Sequence, residues 1–129
     1  MIVVDASVVV EWLAGGPGAE RILPWLERHE GALHAPGLVD VEVAQVLRRL
    51  ERQEAMSEPR GRAAIEMLAV LPLRRHPSRP LLPRIWELRS NLTGYDAAYV
   101  ALAEALGAPL LTLDQRLLGA PLPCPVRAP

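Results

Sequence analysis

No lysine occurs in the 129 residues, and all fourteen basic side chains are arginine. That absence excludes chemistry needing an amine, including the phosphate-binding lysine of a P-loop and Schiff-base catalysis. The single cysteine, Cys124, rules out an intramolecular disulfide and a thiolate metal cage, and points to a cytoplasmic protein. Long apolar runs are missing as well: none approaches the ~20 residues needed to span a bilayer. The opening Ile2-Val3-Val4 is too short for a signal-peptide core and has no basic flank. Phenylalanine is absent and aromatics make up only 4% of the chain, which together with the wealth of alanine, arginine and proline suggests a coding bias. A half-hydrophobic chain of this length can bury one core, so a single domain over residues 1–129 is expected.

The net charge of −1 conceals an asymmetry. Ten arginines and five glutamates lie between Arg48 and Arg89, a block of +5, and the rest of the chain carries −6. Opposed blocks suit a polyanion held beside an acidic centre, with Arg48, Arg49 and Arg52 as candidate contacts to it. A pair of solvated helix faces explains the arginine block equally well.

Strands alternate with helices along the chain, which indicates an α/β fold with a parallel sheet. Ile2 to Val4 is β-branched and apolar on both faces, the pattern of a buried parallel strand. A short helix from Ser7 to Trp12 should stop at Gly15-Gly16-Pro17, and a second, strained by Pro24, should cover Ala19 to His29. Ala32 to Ala35 reads as a strand. Leu38 to Glu54 is a strongly amphipathic helix. Ser57 has the form of an N-cap, with Pro59 in the first turn of a helix reaching Leu71. Leu73 to His76 is a weak strand, and Ser78 is expected to cap a helix through about Asn91 that Pro83 shortens or bends. Thr93-Gly94-Tyr95-Asp96 has the form of a capping box opening a helix that ends at Gly107. Leu110 to Leu113 is a buried strand, and the proline-rich Leu122 to Arg127 suits an edge.

Only four aspartates occur, and two of them, Asp5 and Asp114, directly follow the two clearest strands. Active sites of open parallel sheets lie beyond the carboxyl ends of the strands. Asp96 opens a helix and Glu42 lies in the early turns of another, so both can sit at that same edge. Four carboxylates would then converge, a set that is unstable without a cation. Hard oxygen donors suit Mg²⁺ or Mn²⁺ rather than Zn²⁺ and could serve phosphodiester cleavage. Ser7 and Thr112, each two residues from an aspartate, could hydrogen-bond the ligands. Each acid also has a plainer role available. Asp5 could cap a helix, Asp114 could start a turn, Asp96 could complete the capping box and Glu42 could be solvated. Asp40 reads as a first-turn acid favoured by the helix dipole. His29, His34 and His76 show no ligand spacing and are expected at the surface. Trp12 and Trp25 are expected in the core, with Trp86 the best interface candidate.

Four segments carry a resemblance that pattern reasoning does not supply: Val-Val-Asp-Ala-Ser, Pro-Gly-Leu-Val-Asp-Val-Glu-Val, Thr-Gly-Tyr-Asp-Ala-Ala-Tyr-Val-Ala-Leu-Ala and Leu-Leu-Thr-Leu-Asp. In order and spacing they resemble the four acidic motifs of PIN-domain ribonucleases, in particular VapC-type toxins of toxin–antitoxin pairs. The resemblance implies catalytic and metal-binding roles for Asp5, Glu42, Asp96 and Asp114, supported by Ser7 and Thr112, and a parallel sheet in the order 3-2-1-4-5 flanked by helices. It also implies Mg²⁺-dependent endoribonuclease activity, a homodimer and inhibition by a VapB-like antitoxin. The competing possibility is a catalytically silent PIN-like module that binds RNA or protein. A receiver- or phosphatase-type domain is disfavoured, since it needs a lysine, and in the phosphatase case an aspartate where Ser7 stands.

Overall fold

A computed structural model describes all residues from Met1 to Pro129. Five parallel strands form one sheet in the order β3-β2-β1-β4-β5. They are β1 (Ile2–Val4), β2 (Leu33–Pro36), β3 (Arg74–His76), β4 (Leu110–Leu111) and β5 (Val126–Arg127). The helices are α1 (Ala6–Ala14), α2 (Ala19–Arg28), α3 (Val39–Arg52), α4 (Glu58–Val70), α5 (Leu82–Glu87), α6 (Gly94–Leu106) and α7 (Gln115–Leu118). β1 holds the centre: Val3 lies opposite His34 on one side and Leu110 on the other. Because both of its faces are covered, Ile2, Val3 and Val4 are all buried, which is why the strand reads as an unbroken apolar run. Each such side chain stabilises the fold by about 1.5–3 kcal/mol relative to exposure.

The helix α6 is the most deeply set of the helices, with every residue from Ala97 to Ala103 buried. Four alanines in that stretch let it pack closely on β1, β2 and β4. Thr93 Oγ1 accepts from the Asp96 amide at 3.2 Å at its start, and Gly107, at φ 61°, closes it in the left-handed conformation that glycine tolerates. Ser57 caps α4 as its sequence indicates. Pro24 is accommodated inside α2 because it faces solvent, where the carbonyl it leaves without a donor stays accessible. No helix is long and apolar enough to cross a membrane.

Several local expectations need correction. The helix expected from Ser78 to Asn91 is broken: a 3-10 turn, Arg79–Leu81, precedes α5, which ends at Glu87. Pro80 and Pro83 each lie in a first turn, where a missing N–H costs nothing, and the Ser78 hydroxyl caps neither. α7 was not foreseen, since four residues are too few to show a period. His34 is buried rather than superficial; its Nδ1 lies 2.8 Å from Nε2 of His76, the partner that lets an imidazole sit in the sheet. Asp40 forms an ion pair with Arg75 at 2.9 Å instead of serving only the helix dipole. Trp12 and Trp25 pack on the core from partly buried positions, whereas Trp86 is exposed with the Arg89 guanidinium 4.4 Å above its ring.

Candidate active site

The carboxyl ends of β1 and β4 lie side by side, and two hydroxyls stitch them together. Asp5 is the N-cap of α1, and its Oδ1 accepts from the Val8 amide at 3.2 Å and from Ser7 Oγ at 2.5 Å. Its Oδ2 accepts from Thr112 Oγ1. Ser7 Oγ in turn accepts from the Leu113 amide at 3.0 Å, and Thr112 Oγ1 from the Asp114 amide at 3.0 Å. Both hydroxyls therefore fix Asp5 and the turn carrying Asp114 at once. Asp5 is 6% exposed. Burial pushes its carboxyl above the usual range, the hydroxyl and amide donors oppose this, and the nearby Asp114 charge adds to the rise.

Glu42 stands in the first turn of α3, half-buried, and its Oε1 accepts from the Tyr99 hydroxyl at 2.8 Å. Burial raises this carboxyl too; the Tyr99 bond lowers it, and the charges of Asp96 and Asp5 raise it further. The phenol itself is held far above its ordinary value by burial and by Glu42, so it remains a donor. Asp96 and Tyr99 are three residues apart on α6, hence on one face. Tyr99 was legible only as part of the third motif; that spacing from Asp96 was the available signal.

Asp114 caps α7 and is held below the usual carboxylate range, first by its bond to Arg116. Arg116 Nη2 lies 2.7 Å from Asp114 Oδ2 and 3.7 Å from Asp96 Oδ2. It is the one cation in salt-bridge contact with any of the four acids, and nothing in the sequence singled it out. The four carboxylates are thus linked pairwise by mutual charge and by one guanidinium. No three histidine, cysteine, aspartate or glutamate side chains close on a common ion-sized point.

The arginine block divides on inspection. Arg62, Arg75 and Arg84 are taken up by internal ion pairs. Arg48, Arg49 and Arg52 are exposed on α3. Arg49 lines a groove of about 290 Å³ with Val41, Glu42, Gln45, Val46 and Tyr95, which joins it to the acidic site. Arg48 instead lines a separate hollow against α4, beside Glu51, Glu58 and Arg62.

Residues 2–121 match the PIN domain model. The chain belongs to the PIN-domain family. It is 46% identical over 127 residues to Ribonuclease VapC1 of Mycobacterium tuberculosis, covering 97% of this chain and 95% of the relative. Further mycobacterial VapC ribonucleases are 40–45% identical over about nine-tenths of this PIN domain, which is accordingly a nuclease of the VapC type. Among solved structures, M. tuberculosis VapC20, described as a Sarcin-Ricin loop cleaving toxin, superposes with a TM-score of 0.72 at 17% identity, covering 95% of this chain and 96% of that one. VapBC2 of Rickettsia felis, bound to a DNA fragment from its promoter, gives a TM-score of 0.72 at 15% identity over 99% of this chain and 98% of that one. These two likenesses show the shared fold. The silent-module alternative gains no support from relatives named as ribonucleases.

Proposed function

We propose that the protein is a divalent-metal-dependent endoribonuclease, the toxin of a toxin–antitoxin pair, acting through Asp5, Glu42, Asp96 and Asp114 in one PIN domain spanning residues 1–129. The observation supporting this reading is a buried Asp5, bonded by two hydroxyls after β1, whose carboxyl feels the Asp114 charge and whose own charge, with that of Asp96, is felt by Glu42. All-oxygen donors suit Mg²⁺, with Mn²⁺ as a substitute. When bound, such an ion acidifies a water and neutralises charge developing on the scissile phosphate.

The protein's own residues have distinct tasks. Ser7 and Thr112 lock the Asp5 carboxylate in one orientation, so its free lone pairs point consistently. Tyr99 keeps Glu42 from rotating into solvent and opposes the effect of burial on its proton. Asp96 stands in the first turn of α6, with its Oδ2 3.7 Å from Arg116 Nη2. Arg49 and Tyr95 line the groove leading from Glu42, a path suited to an RNA strand, with phosphate beside the guanidinium and a base on the exposed ring. Arg52, one turn further along α3, extends the same positive edge.

An apolar groove of about 530 Å³ between α3 and α4, lined by Val41, Ile65 and Leu68, suits an amphipathic antitoxin segment of the VapB kind. Exposed Leu82 and Trp86 on α5 supply apolar area for a homodimer. The cytoplasm is the compartment where such a pair meets RNA. The test is cleavage of total RNA with and without EDTA: cutting should stop with chelation and resume on adding Mg²⁺ or Mn²⁺. Undiminished cutting in EDTA would sink the metal assignment.

A further inference from the structure

Arg116 holds an unusual position among the fourteen arginines. Its stem is exposed, yet its head is engaged three ways: Nε 3.3 Å from Asp114 Oδ1, Nη2 2.7 Å from Asp114 Oδ2, and Nη2 3.7 Å from Asp96 Oδ2. The backbone keeps it there, because the Arg116 amide also donates to Asp114 Oδ1 at 2.9 Å. The carboxylate oxygens it touches belong to two of the four acids proposed to hold a cation. A guanidinium and a divalent ion repel each other and draw on the same lone pairs, so their occupancies of this pair of acids oppose one another.

We infer that Arg116 is a displaceable internal counter-ion: it neutralises Asp114 and Asp96, yields them to a divalent cation, and is then free to grip a phosphate. This rests on the reading of the four acids as a metal site. The strength of the contact fits the task. An ion pair this exposed is worth little, so it can quiet the acids without locking the ion out. Four carboxylates with no resident cation would leave their repulsion uncompensated; Arg116 relieves part of it. Its displaced fork matches phosphate geometry, which a lysine ammonium would not.

The test is Mn²⁺ binding to the full-length protein without RNA, by calorimetry and by the signal of free Mn²⁺ in electron paramagnetic resonance. Arg116→Gln should bind Mn²⁺ about fivefold more tightly than the parent. It should also melt lower than the parent in EDTA and recover in saturating Mn²⁺. Mere structural damage would weaken binding, so the sign separates the two. Arg116→Lys keeps the charge and should stay near the parent. Arg62→Gln, which removes an equal charge at an exposed ion pair on α4, should leave Mn²⁺ affinity unchanged. The inference is overturned if Arg116→Gln binds Mn²⁺ no better than the parent, if Arg116→Lys binds as tightly as Arg116→Gln, or if Arg62→Gln tightens binding as much. A parent protein that binds no Mn²⁺ would instead remove the metal-site reading, and the inference with it.

Discussion

Replacing Tyr99 by phenylalanine deletes one oxygen atom, the sole donor recorded to Glu42 Oε1 at 2.8 Å. Tyr99 is 2% exposed, so the change leaves the packing of α6 intact and isolates the hydrogen bond. A bond to an ionised carboxylate contributes about 1.5–3 kcal/mol, and because Glu42 is only half-buried we expect about 1–2 kcal/mol near neutral pH. For a domain of this size that lowers the melting temperature by about 4–7 °C. The sign of the pH dependence follows from linkage. Glu42 already has a folded pKa raised above its ordinary value of 4.5, so its favourable contribution is present below that value and is lost as pH rises through the raised one. The Tyr99 bond lowers the carboxyl, so Tyr99→Phe should raise it further. The variant then holds its proton to higher pH and loses more stability on ionising. The gap between parent and variant must therefore widen from acid pH, where only a weaker neutral bond is missing, towards neutral pH. Thermal unfolding followed by circular dichroism in EDTA, from pH 4 to pH 8, measures that gap. A gap constant with pH, or one that narrows upwards, would refute the role given to Tyr99.

Mg²⁺ at ten times its Kd should stabilise the parent by about 1.4 kcal/mol, read as a concentration-dependent rise in melting temperature; no rise up to millimolar Mg²⁺ would contradict the metal site. Asp96→Asn should abolish most cleavage in a gel assay and shrink the Mg²⁺-induced shift, whereas a purely capping Asp96 would leave a folded, active enzyme about 0.5–1 kcal/mol less stable. Arg49→Gln should weaken RNA binding and reduce the salt slope by about 0.7 for one lost phosphate contact on a single strand, while Arg48→Gln, on the other hollow, should change neither. Because Asp114 is held low by Arg116, its contribution is present above the ordinary aspartate range and lost as pH falls through the depressed value; Arg116→Gln should flatten that acid limb of the stability profile.

What could be read from the sequence and what could not divide on a physical line. β1, α3, α4 and α6 announce themselves because burial of one or both faces imposes a period on the residues, and Asp5 and Asp114 gain meaning from following strands. The placement of Glu42 beside Tyr99 spans 57 positions, and that of His34 beside His76 spans 42. Neither contact leaves a local trace, so neither the pairing of Tyr99 with Glu42 nor the burial of His34 can be read from local pattern. Arg116 was invisible for a different reason: an exposed arginine on a helix of four residues has no pattern to belong to. The arginine block illustrates the opposite error, since composition grouped side chains that the fold sends to different tasks. Arg75 braces the Leu68, Leu71 and Leu73 carbonyls, while Arg49 faces the groove beside Glu42.

The alanine-lined α6 has a consequence for how specificity can vary. Asp96 and Tyr99 are mounted on a helix whose middle turns are buried, so a bulkier residue at Ala97, Ala98, Ala101 or Ala103 would collide with the elements packed around it, the sheet on one side and α5 on another. Overfilled interiors of this kind lose about 1–3 kcal/mol per change. Room for change exists instead on the outer turns of α3, where Val41, Gln45 and Arg49 meet solvent. α6 thereby holds Asp96 and Tyr99 on a frame that resists substitution, whereas α3 sets Glu42 at its start and leaves its outer turns open to revision at the rim.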